Sequence, residues 1–293
     1  MLELIKEYII KFTDFVCGWP LFTLLIGGGI FLFIYSRALP LRKLGMAVSS
    51  LKMKKKGEGQ VSSFQALMNT ISSTVGMGNI AGVAIALCVG GPGAIFWMWV
   101  SALLGMATKF FEGTLAIMYK GKDDKGVIQG GPMFVLTEGL GRKMKPLAVM
   151  FAFCALFSGL PVMQANQLSE SLYSVILEPL GVPESRWVFL MLGLVIGGIV
   201  SLVIFGGIKR ISQVSSRIVP FMVGFYFLMV LGIMIVYHDR LPAVFDAIFK
   251  GAFCWKAGFG ALAAVALTGA RRAMFVNEAG VGTAGMMHGA SMN

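Results

Sequence analysis

The chain has 293 residues, 57% of them hydrophobic and only 13% charged, with a mean hydropathy of +0.80. Soluble domains carry about 25% charged residues. The shortfall, with several apolar runs of about 20 residues, excludes a soluble globular protein and predicts an all-α polytopic membrane protein. The formal net charge of +11 is no nucleic-acid signal, because most Lys and Arg lie between apolar segments, as the positive-inside rule requires.

Taken in chain order, the N-terminus is not expected to be a cleavable leader. Residues 1–17 place Glu3, Lys6, Glu7, Lys11 and Asp14 between apolar residues at helical spacing. That pattern predicts an amphipathic helix lying in the membrane interface, ahead of a transmembrane unit over 18–293. The predicted spans are Trp19 to Tyr35, Ser62 to Val89, Ala94 to Met118, Leu147 to Leu172, Trp187 to Phe205, Val219 to Tyr237 and Ala252 to Ala270, seven in all.

Basic residues sort into four clusters: Arg37 to Lys56, Lys120 to Lys145, Lys209 to Arg217, and Arg271-Arg272. With alternating spans all four fall on one side, and the opposite loops hold only Arg186, Arg240, Lys250 and Lys256. The expectation is a multi-pass protein of the cell (plasma) membrane, with basic loops in the cytoplasm and the N-terminus outside. Cys17, Cys88, Cys154 and Cys254 are far apart and lack metal spacing, so buried free thiols are expected. His238 and His288 follow segment ends and form no ligand pair.

The segment Gly76-Met77-Gly78-Asn79 interrupts the second span. Lipid leaves no water to satisfy freed backbone groups, so a spanning helix unwinds only where protein or a water-filled cavity takes them up. Unwound carbonyls and half-helix ends then bind substrate and ion near the bilayer midplane. Ser72, Ser73 and Thr74 just before the break, and Asn79 after it, add polar groups. Close helix packing through small residues is the competing reading for Gly76, Gly78 and Gly82.

Other polar positions carry paired readings. Lys109 and Glu112 share a helical face near the inner end of the third span, as a mutual structural pair or a functional charge. Gln164, Asn166 and Gln167 fall within one turn of the fourth span and face the interior, as substrate ligands or interhelical hydrogen bonds. Glu278 reads as a coupling carboxylate or as a loop residue paired with Arg271 or Arg272. Gly280-Val281-Gly282-Thr283-Ala284-Gly285 formally matches a dinucleotide fingerprint. It follows a membrane span rather than a parallel strand, so that reading fails.

The block from Gly90-Gly91-Pro92-Gly93-Ala94-Ile95-Phe96-Trp97-Met98-Trp99 through Gly105-Met106-Ala107-Thr108-Lys109-Phe110 resembles the signature of the alanine or glycine:cation symporters, also called sodium:alanine symporters. Gly78 to Ala84, Gly130-Gly131-Pro132-Met133, Gln164-Ala165-Asn166, Gly206 to Ile211 and Phe275 to Gly280 agree in order. The resemblance covers nearly the whole chain. It implies an extra first helix, then a five-plus-five inverted repeat of the amino acid/polyamine/organocation type. The first repeat would occupy 62–237 and the incomplete second 243–293.

The resemblance also implies alternating-access import of alanine or glycine with sodium, without enzyme chemistry or a cofactor. Substrate would meet Thr74, Gly76, Met77, Gly78, Gln164, Phe275 and Asn277, and sodium Thr74, Gly76 and Asn79. Met77 stands where a Thr is common in the family. Family members are longer, so the resemblance implies that the last four helices of the fold are absent here. A truncated form, inert alone, is therefore expected. A proton-coupled carrier of another small amino acid and a non-transporting remnant are the alternatives. A channel would need a repeated filter, and an enzyme an intramembrane acid, base or metal cluster; the sequence has neither.

Overall fold

A computed structural model describes residues 2–50, 61–122, 126–253 and 259–291. Helix α1 (Leu2–Val16) runs into α2 (Trp19–Tyr35) across Cys17 and Gly18, and Glu3–Tyr35 forms one apolar helical stretch. Two short helices follow, α3 (Leu39–Arg42) and α4 (Leu44–Ser50).

Helix α5 (Ser63–Thr74) opens on a reciprocal cap. The Gln65 amide N–H donates to Ser62 Oγ at 3.3 Å, and the Ser62 N–H donates to Gln65 Oε1 at 3.0 Å. Two orphan donors of the first turn are thereby satisfied. The helix stops at Val75 and Gly76, both extended, and α6 (Met77–Gly90) resumes with a bend of 42°. The break expected in the second span is therefore present.

Gly91, at φ +67°, turns the chain into α7 (Gly93–Met118). A two-residue hairpin pairs β1 (Gly121–Lys122) with β2 (Ile128–Gln129). Then come a single turn α8 (Pro132–Phe134), α9 (Lys145–Ser158), α10 (Val162–Leu172), a wider π-type turn over Tyr173–Leu177, and α11 (Arg186–Ile204). The remaining helices are α12 (Gly207–Val236), α13 (Leu241–Ala252), α14 (Phe259–Asn277) and α15 (Thr283–Gly289).

Among the described residues, four helical stretches are long and apolar enough to cross a membrane, and the bent pair α5–α6 makes five. The fourth predicted span is not one helix: Gly159 to Pro161 separates α9 from α10. Pro161 has no N–H to donate and biases Leu160 away from helical geometry. The sixth span begins earlier than expected, so Lys209, Arg210 and Arg217 lie on the first turns of α12. The seventh is not among the helices long and apolar enough to cross a membrane, and α14 continues through Arg271 and Arg272 to Asn277. Arg271 Nη2 lies 3.9 Å from Asp14 Oδ1, which gives that charge a partner within the fold. Cys88 and Cys154 are exposed and Cys17 is half-buried, so the expected burial fails for them. A thiol is apolar enough to sit on a lipid-facing surface. Cys254 lies outside the described residues.

Helix α7 is the hub, touching α2, α6, α13, α14 and α15. Its contacts are close because they are made of glycine. A Cβ on Gly93 would overlap the backbone of Gly251, and one on Gly269 would stand 2.8 Å from Trp97 Cβ. The centre is built from Ala86, Ala94, Met98 and Ala273, all buried, with Val83, Ile95, Val265 and Val276 packed around them. Small residues let helices approach where lipid supplies no hydrophobic drive between them.

Helices α6 and α14 run antiparallel. Gly82 faces Val276 and Gly90 faces Thr268, so α6 descends along α14. The Val61 N–H donates to the Ala290 carbonyl at 3.3 Å, which joins the start of α5 to the end of α15. Helix α5 also rests on α12, where buried Asn69 donates through Nδ2 to Ser212 Oγ at 2.6 Å. Asn69→Ala is expected to cost about 1 kcal/mol, the scale of an interhelical hydrogen bond in lipid. A lowered thermal midpoint in detergent, reproduced by Ser212→Ala, is the measurement that checks it.

Candidate functional site

The first break places polar backbone at a fixed point. Thr74, the last residue of α5, donates through Oγ1 to the Thr70 carbonyl at 2.7 Å. Gly76 is extended, and its carbonyl accepts from the Asn79 N–H at 3.0 Å. The C-terminal end of α5, partly negative, and the N-terminal end of α6, partly positive, thus flank the same two residues.

The second break lies between α14 and α15. Asn277 ends α14, and Glu278 (φ +49°), Gly280 (φ +82°) and Gly282 (φ +94°) turn the chain in the left-handed region. That region suits glycine and is rare for a carboxylate residue. Strain of this kind clusters at functional sites. Thr283 Oγ1 donates to Glu278 Oε2 at 2.6 Å and closes the turn locally. The glycine pattern that mimics a dinucleotide fingerprint is accounted for by this turn and by Gly285, which packs against Ala116 and Pro132.

Helix α7 supplies the remaining groups. Glu112 does not close on Lys109. Its Oε2 accepts from the Gly280 N–H at 3.2 Å and its Oε1 from the Gly285 N–H at 3.1 Å. Lys109 Nζ is buried and has no hydrogen-bond partner among the described residues. Glu278 has no ion pair with Arg271 or Arg272 among the described residues. Beyond the end of α7, Lys120 Nζ donates to the Ser291 carbonyl at 2.6 Å, and burial pushes its ammonium below the ordinary lysine value.

A cleft of about 790 Å³ opens beside the first break, lined among others by Thr70, Thr74, Val75, Trp99, Lys109 and Asn277. A smaller one of about 200 Å³ lies between α6, α7 and α14 and also reaches Trp99 and Asn277. Asn277 therefore links both spaces. Of the site residues expected from sequence, Thr74 and Asn277 share the larger cleft. Gly76 forms the break and Asn79, half-buried, sits in the first turn of α6. Met77 and Gly78 open that helix, while the Met77 and Phe275 side chains lie outside what the structure describes. Gln164 is exposed on α10, which packs on α11, and does not line the larger cleft. No group of three His, Cys, Asp or Glu among the described residues could hold a metal. An ion at the break would meet carbonyls and hydroxyls.

A helical, multi-pass membrane architecture with a broken spanning helix fits a transporter. The chain belongs to the sodium:alanine symporter family, whose model matches residues 2–293. It is 41% identical to the sodium/alanine symporter AgcS of Methanococcus maripaludis over 93% of its own length and 60% of that protein. It is 36% identical to the amino-acid carrier protein AlsT of Bacillus subtilis, over 93% of this chain and 57% of that one. The chain thus spans about three-fifths of the length of these curated relatives.

Proposed function

We propose that the protein imports alanine or glycine by symport with sodium, through alternating access around the two helix breaks. The observation that carries this reading is the meeting of Thr74 and Asn277, one from each break, on a single cleft. The partly positive start of α6 at Met77 and Gly78 suits the substrate carboxylate, and the uncharged Asn277 amide can orient its ammonium. Sodium, the second cargo, suits the last carbonyls of α5, the Gly76 carbonyl, Thr74 Oγ1 and Asn79. Bound together, ion and substrate stabilise one loaded state, and that coupling converts the sodium gradient into uptake.

The proposal includes an inverted repeat that relates α5–α6 to α14–α15, and a plasma-membrane orientation with the basic loops inside. The family resemblance and the antiparallel packing of α6 and α14 support the first, and the charge sorting supports the second.

Tracer binding to the purified protein tests the site directly. L-alanine is expected to bind in sodium chloride and to lose at least about 90% of its occupancy in choline chloride, the scale of a coupling near 1–3 kcal/mol. Equal binding in both salts rejects sodium linkage. Binding that instead follows pH selects proton coupling.

A further inference from the structure

We infer that Glu112 is the positioning residue of the second break, with Lys109 beside it on the same face of α7. The affinity part of this inference rests on the transport reading above; the structural part stands without it. Among the described residues, the Glu112 side chain bonds both to the turn, at Gly280, and to α15, at Gly285. One N–H lies within the left-handed turn and the other in the first turn of α15, so a single carboxylate ties the turn to the helix that follows it. A carboxylate offers two acceptor oxygens, whereas an amide replaces one of them with an NH2 donor.

Glu112 is half-buried, and Lys109 is the cation on its own helix. Lys109 lies one turn before Glu112 on the same face of α7. Its buried Nζ makes no hydrogen bond among the described residues, so it acts through its field rather than as a geometric ligand. His288 joins the same neighbourhood, its ring packed over Gly113. Lys109 lines the larger cleft, but its ammonium is covered and does not reach into it. Substrate therefore meets a turn whose shape is fixed from behind, by groups it does not touch.

The test combines hydrogen exchange with transport on the full chain in lipid nanodiscs and proteoliposomes. In wild type, the amides of Gly280 and Gly285 are expected to exchange slowly. Glu112→Ala is expected to speed both at least about tenfold, and Glu112→Gln mainly one of them, because exchange reads local opening. Lys109→Met keeps the aliphatic stem, removes the charge, and is expected to speed both amides too. Peptides from α11 and α12 should exchange as in wild type in every variant. In uptake, Glu112→Gln is expected to raise the alanine KM at least about fivefold while the maximal rate changes less than about twofold, since the loss is one of binding. Unchanged exchange at Gly280 and Gly285 in both Glu112→Gln and Lys109→Met overturns the inference, whatever transport shows. If exchange responds but wild type neither binds nor moves alanine, the transport reading fails and the positioning role stands.

Discussion

Asn277→Ala is expected to raise the alanine concentration for half-maximal uptake at least about tenfold, with the protein still folded and inserted. A hydrogen bond to a charged group is worth about 1.5–3 kcal/mol, and 1.4 kcal/mol is a tenfold change in affinity. Asn277 is the last residue of α14, so its side chain leaves the helix where the backbone begins to turn. It lines the cleft it shares with Thr74, the smaller space against Trp99, and a third small pocket with Ser101, Thr108 and Arg271. Its nearest glycine neighbour tells the same story: a Cβ on Gly105 would stand 3.9 Å from Asn277 Nδ2. The amide is thus placed by α7, and its removal leaves the backbone of the turn to Glu112. Gln164→Ala, exposed on α10 away from that cleft, is expected to change the same constant less than about threefold, as surface substitutions do. Uptake curves for the two variants, normalised to protein in the vesicles, decide between a site centred on the breaks and one reaching α10.

Gly93→Val is expected to prevent stable assembly altogether. At Gly93 the backbone of α7 meets that of Gly251 and Ala252 at the end of α13, and a Cβ there would overlap main-chain atoms that cannot rotate away. Overpacking of a tight site costs about 1–3 kcal/mol where side chains can yield, and more where they cannot. Gly27→Val is the matched control, because a Cβ at Gly27 meets nothing within 4 Å. The expected result is a folded, monodisperse Gly27→Val protein after detergent extraction and an aggregated Gly93→Val protein. Equal recovery of both would show that α7 and α13 do not pack as closely as the structure has them.

Much of this architecture was legible because membranes punish irregular backbone. Gly76 and Gly78 in an apolar run marked the first break, and the bend lies at Val75 and Gly76. The second break was harder. Gly280 and Gly282 are visible in the sequence, but the left-handed Glu278 between them and Asn277 is not, because nothing local requires it. The role of Glu112 was hidden for a different reason: its partners are backbone amides 168 and 173 residues away, and spacing along α7 suggested Lys109 instead. Pro161 was a readable stop, overlooked because the apolar composition continues across it. Arg271 and Arg272 looked like a helix end, yet tertiary packing carries α14 on to Asn277. Such differences arise where long-range contacts outweigh local preference.

The most direct measurement is L-alanine uptake into proteoliposomes that contain the uninterrupted natural gene product, with this 293-residue chain run in parallel, under an inward sodium gradient and no pH gradient. The transport account predicts accumulation above equilibrium that collapses when sodium is equal on both sides, and that Asn277→Ala right-shifts. Accumulation driven by a pH gradient alone, or none with either gradient from a correctly folded protein, would contradict it.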